Sequence, residues 1–343
     1  MNPIISSIMI SNLALGAIIT ATSFHWLLAW IGLELNTLAI IPILAKHHHP
    51  RATEATTKYF ITQATASLLV LFSSTLNAWL TGTWNIMQLS SYPATLLLLM
   101  ALAMKLGLAP MHFWLPEVMQ GITMSSALII TTWQKIPPVA LLYMTANHHF
   151  MILSLLAITS ILIGGWSGLN QTQTRKIMAF SSIAHLGWMI VILCISQKLF
   201  IFTLLIYILM TSSMFLILIT HTLKTLKDLS QMWSSSPMIS TMTMFILMSL
   251  GGLPPMIGFL PKWLILKELT LNCLIPLATT IALLSLLSLM FYMRLTYITS
   301  LTTPPNTTNS MMKWRFKSTK PTLFLPMTST LLFLLPLTPL MPL

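Results

Sequence analysis

The sequence predicts an all-α polytopic membrane protein of about eleven transmembrane helices, built as two inverted five-helix repeats followed by a C-terminal helix. Three observations lead there. Charge is scarce: of 343 residues, 56% are hydrophobic and 6% charged, with a mean hydropathy of +0.85. A soluble domain carries about 25% charged residues. Apolar runs long enough to cross a bilayer, about 20 residues each, follow one another with short polar breaks. Finally, one phrase occurs twice. Gly107-Leu108-Ala109-Pro110-Met111 continues to Trp114-Leu115-Pro116-Glu117, and Gly252-Leu253-Pro254-Pro255-Met256 continues to Phe259-Leu260-Pro261-Lys262. The offset is 252 − 107 = 145 residues. Each copy puts Gly and Pro inside an apolar helix, which frees backbone groups that lipid cannot satisfy.

Reading the apolar runs and breakers in order places spans at 3–22, 24–45, 55–79, 94–120, 124–146, 150–169, 175–195, 199–221, 238–267, 272–298 and 322–341. The fourth and ninth are the broken ones. Loops after even-numbered spans hold Lys46, Arg51, Arg175, Lys176, Lys224, Lys227, Lys313, Arg315, Lys317 and Lys320, while loops after odd-numbered spans hold Lys198 and Lys267. Basic residues collect on the cytoplasmic-type face. The even loops and the N-terminus therefore face that side, and the C-terminus faces the other. Spans four and nine are five apart and cross in opposite directions, which makes the repeat an inverted one. The whole of 1–343 reads as a single membrane domain. Its first five-helix repeat is 1–147, its second 148–300, and 301–343 holds a basic loop and the final helix. The start Met1-Asn2-Pro3 lacks the basic region of a signal peptide.

The formal net charge of +12 comes from these loops and not from a soluble basic patch, so nucleic acid is not an expected partner. The two cysteines, Cys194 and Cys273, form no CxxC and no cluster spacing. His47-His48-His49 sits in a basic loop with no acid beside it. Gly164-Gly165 reads as close helix packing, since no phosphate-loop pattern follows. No metal or cofactor site is expected in this chain. It carries no serine, cysteine or paired-carboxylate array for bond chemistry.

The charges inside the spans carry the functional signal. Glu34 lies midway along span 2, Lys105 ends the first half of span 4, Lys135 precedes Pro137-Pro138 in span 5, and Lys262 follows the break in span 9; His112 and His185 also lie in apolar stretches. A centred charge costs roughly 2.5–3.5 kcal/mol on insertion scales, so these groups must pair, neutralise or reach water. Glu34 is the only acid near mid-membrane, and Lys105 is its preferred partner. A buried lysine gives up its proton readily, which suits a proton carrier. Each residue has a plainer reading. Glu117 and Lys262 snorkel to an interface, Glu34 and Lys105 form a structural pair, Lys135 is passive, His112 bonds a freed carbonyl, and His185 is a satisfied core histidine. Arg294 reads as an interfacial anchor.

Seven segments carry a resemblance: Trp30 to Glu34, Glu54 to Phe60, Lys105 to Glu117, Thr132 to Lys135, Gly168 to Thr172, Ser181 to Trp188 and Gly251 to Trp263. The chain resembles the antiporter-like membrane subunits of mitochondrial NADH–ubiquinone oxidoreductase, in their animal eleven-helix form. That resemblance implies a core membrane-arm subunit that takes part in proton translocation coupled to NADH oxidation and ubiquinone reduction. It assigns the proton path to Glu34, Lys105, Lys135 and Lys262, with His112 and His185 as relays. NADH, FMN, iron–sulfur clusters and ubiquinone then belong to partner subunits. The location implied is the mitochondrial inner membrane, with the N-terminus on the matrix side and the C-terminus facing the intermembrane space. Other membrane-arm subunits and membrane lipid, including cardiolipin on the basic loops, are the implied partners. Two other readings stay open: a structural bridging subunit, and an autonomous cation/proton antiporter.

Overall fold

The computed structural model describes residues 3–46, 49–145, 150–254 and 256–301. Among them the chain is helical, and it divides into two compact units whose boundary falls after Leu156. The first contains α1 (Pro3–Thr22), α2 (Trp26–Leu44), α3 (Pro50–Thr81), α4 (Tyr92–Leu106), α5 (Trp114–Gly121), α6 (Met124–Thr131) and α7 (Ile136–Thr145). The boundary lies within α8 (Phe150–Gly168). The second unit continues with α9 (Thr174–Leu193), α10 (Gln197–Thr220), α11 (Leu226–Ser235), α12 (Pro237–Gly251), α13 (Phe259–Leu271) and α14 (Ile275–Ser300).

Seven of the described helices, α1, α2, α3, α8, α9, α10 and α14, are long and apolar enough to cross a membrane. The broken spans supply shorter apolar helices, α4 and α12. The expected spans from 3–22 to 272–298 each coincide with one of these helices or with a broken pair. The last expected span, 322–341, lies outside the described residues, as do His47 and His48. His49 instead caps α3, its Nδ1 accepting from the Arg51 N–H at 3.2 Å.

Two features differ from the sequence reading. Span 5 is not one helix. It stops at Thr131, passes through a 3₁₀ turn over Trp133–Lys135 and restarts at Ile136. Pro137 and Pro138 explain this. Neither has an N–H for the carbonyl four residues back, so the chain tightens there and Ile136 donates to Trp133 instead. The second is α11, a ten-residue helix in what reads as a loop. A capping box starts it: Thr225 Oγ1 accepts from the Asp228 N–H, and the Asp228 carboxylate accepts from Thr225 N at 2.8 Å and Lys224 N at 2.9 Å. Burial pushes the Asp228 carboxyl upward, but these donors win and hold it below its ordinary value. Leu229 and Met232 are the buried side of α11.

Glycine lets the helices approach closely. A Cβ on Gly16 would lie 2.9 Å from the Gly32 carbonyl and 3.0 Å from the Asn36 N, so α1 and α2 touch backbone to backbone. In the second unit a Cβ on Gly164 would meet the Ala184 N at 2.8 Å, and one on Gly187 the Ala157 carbonyl at 2.9 Å. The expectation of close packing at Gly164-Gly165 holds.

The same local geometry occurs in both units. α4 and α12 have 15 residues each. Both end on a left-handed glycine, Gly107 at φ 74° and Gly252 at φ 77°. Leu108 donates back to Ala103 at 2.9 Å, and Leu253 to Met248 at 3.2 Å. The segment before the second helix of each unit also pairs with the segment after the third. Trp26 N donates to Trp84 O and Ile86 N to Phe24 O; likewise Thr174 N donates to Lys224 O and Leu226 N to Thr172 O.

Two outcomes test this packing. Gly16→Leu should push α1 off α2 and reduce the amount of assembled complex seen on a native gel, whereas Gly82→Ala, whose Cβ meets nothing within 4 Å, should cost only about 1 kcal/mol from its positive φ. Asp228→Ala should cost the α11 start about 1 kcal/mol, visible as roughly five-fold faster hydrogen exchange at the Lys224 and Thr225 amides.

Candidate functional site

The α4–α5 break sets the first lysine. Lys105 lies in the last turn of α4, and Gly107 ends the helix two residues later. The carbonyls freed by the break find other donors. The Trp114 indole N–H donates to Met104 O at 3.0 Å, and Leu115 N donates to His112 O. His112 is buried, with its Nδ1 3.2 Å from the Pro110 carbonyl. A cis peptide joins Ala109 to Pro110. These contacts replace the missing ladder and leave the Lys105 side chain pointing inward, 6% exposed.

The second break sets the second lysine. The 3₁₀ turn is tied down by the two residues before Lys135. Trp133 Nε1 donates to Leu13 O at 3.1 Å, and Gln134 Nε2 donates to the Asn36 side-chain oxygen at 3.1 Å. Lys135 is buried.

Lys105 and Lys135 meet at one cavity. It is also lined by Asn36, Thr37, Tyr59, Gln63 and Gln134, and its space is ≈ 20 Å³, enough to seat a water molecule. The apolar wall comes from Leu33, Leu106, Leu115, Ile130 and Pro138. Lys105 Nζ and Gln63 Nε2 are both buried and have no hydrogen-bond partner.

Glu34 reaches this cavity through an intermediary. Its carboxylate accepts from the Thr37 hydroxyl at 3.1 Å, and Thr37 lines the cavity. The expected contact between Glu34 and Lys105 is not made: among the described residues no ion pair joins them, and Lys105 Nζ has no hydrogen-bond partner. Glu34 is half-buried on α2, where Thr37, one turn further on, shares its face.

Glu117, at the register position of Lys262, turns outward. It pairs with Lys58 at 2.8 Å, and Lys58 also bonds Glu54 at 2.7 Å. All three side chains are exposed by 42% or more. The 32-residue α3 is about 48 Å long, longer than the roughly 30 Å hydrocarbon layer, so its first turns can carry this cluster beyond the lipid core.

In the second unit Lys262 turns inward from α13. Its Nζ donates to the Gly251 carbonyl at 2.8 Å and lies 5.9 Å from the centroid of a Trp188 ring. The end of α12 is thus met by a cation, which its helix dipole favours. Gly252 makes room for this: a Cβ there would lie 2.8 Å from Lys262 Nζ. His185 is half-buried, with Nε2 3.4 Å from the Tyr292 hydroxyl and its ring 5.7 Å from that of Tyr207. On the same helix as His185 the Ser181 and Ser182 hydroxyls donate to the Met178 and Ala179 carbonyls at 2.8 Å each. Arg294, expected only as an anchor, donates to Leu169 O at 2.7 Å near the end of α8.

The sequence reading missed Asn36, Thr37, Tyr59, Gln63 and Gln134. They are uncharged, and a search for intramembrane charges passes over them. The available signal was an amide, Asn36 or Gln63, inside an apolar span. Among the described residues no group of three or more His, Cys, Asp or Glu could hold a metal ion.

The chain matches the family model described as NADH:quinone oxidoreductase/Mrp antiporter, TM, over residues 23–288, and that of the NADH dehydrogenase subunit 2 C-terminus over 289–342. It is 54% identical to NADH-ubiquinone oxidoreductase chain 2 of Xenopus laevis, over 99% of both proteins. With the Varanus melinus protein of that name it shares 56%, again over 99% of both. Among solved structures, a chain of respiratory complex I from Thermus thermophilus with bound aureothin superposes with a TM-score of 0.87 at 27% identity, covering 99% of this chain and 80% of that one. A chain of the Mrp complex from Dietzia sp. shares the fold, with a TM-score of 0.79 at 19% identity, covering 86% of this chain and 60% of that one. The chain therefore belongs to the NADH-ubiquinone oxidoreductase chain 2 family, within the wider group of antiporter-like membrane proteins.

Proposed function

We propose that this chain is a core membrane-arm subunit of NADH:ubiquinone oxidoreductase and carries part of its proton translocation, in the mitochondrial inner membrane. The observation that carries the reading is the cavity at the two helix breaks: Lys105 ends there without a partner, and Lys135 lines the same space. Two lysines on one water-sized space can exchange a proton through water. Glu34, whose carboxylate accepts from the cavity-lining Thr37 hydroxyl, is the trigger. A change in its charge alters how tightly Lys105 holds its proton, which then moves to Lys135. Lys262 is the onward acceptor, held at the second break by the Gly251 carbonyl, with His185 and its two tyrosines beside the route. His112 supports the first break. The chain performs no redox step. NADH oxidation and ubiquinone reduction, with FMN and the iron–sulfur clusters, fall to partner subunits.

The proposed architecture is eleven spans in two inverted halves, 1–147 and 148–300, with the N-terminus on the matrix side and the C-terminus toward the intermembrane space. The matching glycine-ended helices and the matching backbone pairs at Trp26–Trp84 and Thr174–Lys224 support the repeat. The ten-to-two loop charge bias supports the orientation. Those basic loops suit cardiolipin headgroups, which lipid analysis of the purified enzyme would detect.

Lys105→Arg is the decisive variant. Arginine keeps the positive charge but does not release its proton. If Lys105 carries protons, the assembled enzyme should lose roughly ten-fold or more of its NADH-driven pumping in liposomes, while NADH oxidation by an artificial acceptor stays near normal. Full pumping would reduce Lys105 to a structural charge. Lys262→Met should behave in the same way. Glu117→Gln, which alters an exposed surface pair, should leave pumping within about two-fold of native, as surface pairs contribute little.

A further inference from the structure

Gln63 takes no part in the proton route outlined above, yet its place in α3 is unusual. It is 4% exposed in an apolar helix, and its amide Nε2 has no partner. The Lys105 ammonium, 6% exposed, is in the same position. Both side chains border the ≈ 20 Å³ space. Two donors cannot satisfy one another. Each needs an acceptor, and one acceptor with two lone pairs can serve both. A water molecule meets that need, fits the space and still has two protons to give. The same lining offers places for those protons: the Thr37 hydroxyl, the Asn36 side-chain oxygen, which accepts one bond from Gln134, and Lys135 when neutral.

We infer that Gln63 and Lys105 together hold a fixed water, and that Gln63 is the positioning residue that turns one lone pair of that water toward the Lys105 ammonium. This rests on the proton-transfer reading of the cavity. The step balances without any other reactant. Lys105 Nζ gives a proton to the water oxygen as the water gives one of its own to neutral Lys135 Nζ. One N–H and one O–H bond break, one of each forms, the water is regenerated, and the positive charge moves from Lys105 to Lys135. The amide N–H of Gln63 never leaves. Its part is to keep the water oxygen from rotating away when Lys105 becomes neutral and stops donating strongly. The charged and titratable groups facing this water are Glu34, through Thr37 on α2, Tyr59 on α3, Lys105 on α4, and Lys135 in the 3₁₀ turn.

The first test uses the native assembled enzyme. A density map fine enough to show ordered water should place one within hydrogen-bond reach of both Gln63 Nε2 and Lys105 Nζ. An empty space, or pumping that depends on a halide bound there, would overturn the inference. The second test uses variants in the same enzyme. Gln63→Met has nearly the same volume but no amide. NADH oxidation by an artificial acceptor should be unchanged, NADH-driven pumping should fall about ten-fold, and the solvent deuterium isotope effect on pumping should rise as the transfer becomes rate-limiting. Gln63→Glu replaces the donor by an acceptor that pairs with Lys105 and tightens its hold on the proton, so the pH profile of pumping should move to higher pH. A packing role alone would move neither the isotope effect nor the pH profile. If Gln63→Met pumps with a native isotope effect while Lys105→Arg fails, the water inference is wrong and the proton route stands. If both pump normally, the route itself is wrong.

Discussion

The structure depends on one constraint: within lipid, each backbone N–H and C=O must find its partner inside the protein. A continuous helix meets this by itself. A broken one does not, and this chain breaks three described helical segments, after Leu106, after Thr131 and after Gly251. At the first and third breaks a side chain joins the bonding: the Trp114 indole donates to the Met104 carbonyl and Lys262 to that of Gly251, while at the second Gln134 ties the turn to Asn36 of α2. The polar atoms that repair the backbone are thereby concentrated at a few depths, and the buried lysines lie among them.

The same accounting gives the breaks their chemistry. A lysine at the C-terminal turn of a half-helix sits where carbonyls collect, and a cation is favoured there. Lys105 and Lys262 both take such positions, by different routes. Lys105 is the second-last residue of α4, two before Gly107, and reaches inward. Lys262 reaches back from α13 to the last carbonyl of α12. Glu117 stands at the register position of Lys262 but faces outward to Lys58. Equivalent breaks can thus carry unlike charges, because the left-handed glycine and the two flanking half-helices make the break, while the side chain one turn into the second half-helix is free to vary.

Much of this was legible from the residues. Lipid as solvent followed from the scarcity of charge. The span positions followed from run length. The paired breaks followed from the repeated Gly-Leu-x-Pro-Met phrase, and the lysines stood out because a charge in an apolar run is costly. These features are local: each depends on which residues are present and how far apart they lie along the chain. Even the helix end at Gly107 is local, since only a residue without a Cβ adopts φ near +74° cheaply.

What needed the tertiary structure was everything that joins distant segments. Lys105 and Lys135 are 30 residues apart, and only the packing of α2, α3 and α4 around the 3₁₀ turn brings them to one cavity. The indirect link from Glu34 through Thr37, in place of a contact pair, depends on the direction α2 presents its face. Gln63 could not be singled out, because an uncharged amide carries no signal until its neighbours are known to leave its N–H without an acceptor. The sequence by itself determined the solvent, the described spans and the two matching breaks, since those follow from the transfer energies of consecutive residues and the Gly and Pro between them. Only the tertiary structure decided which buried groups share a space, since that depends on helix directions and separations set by contacts such as Gly16 against Gly32.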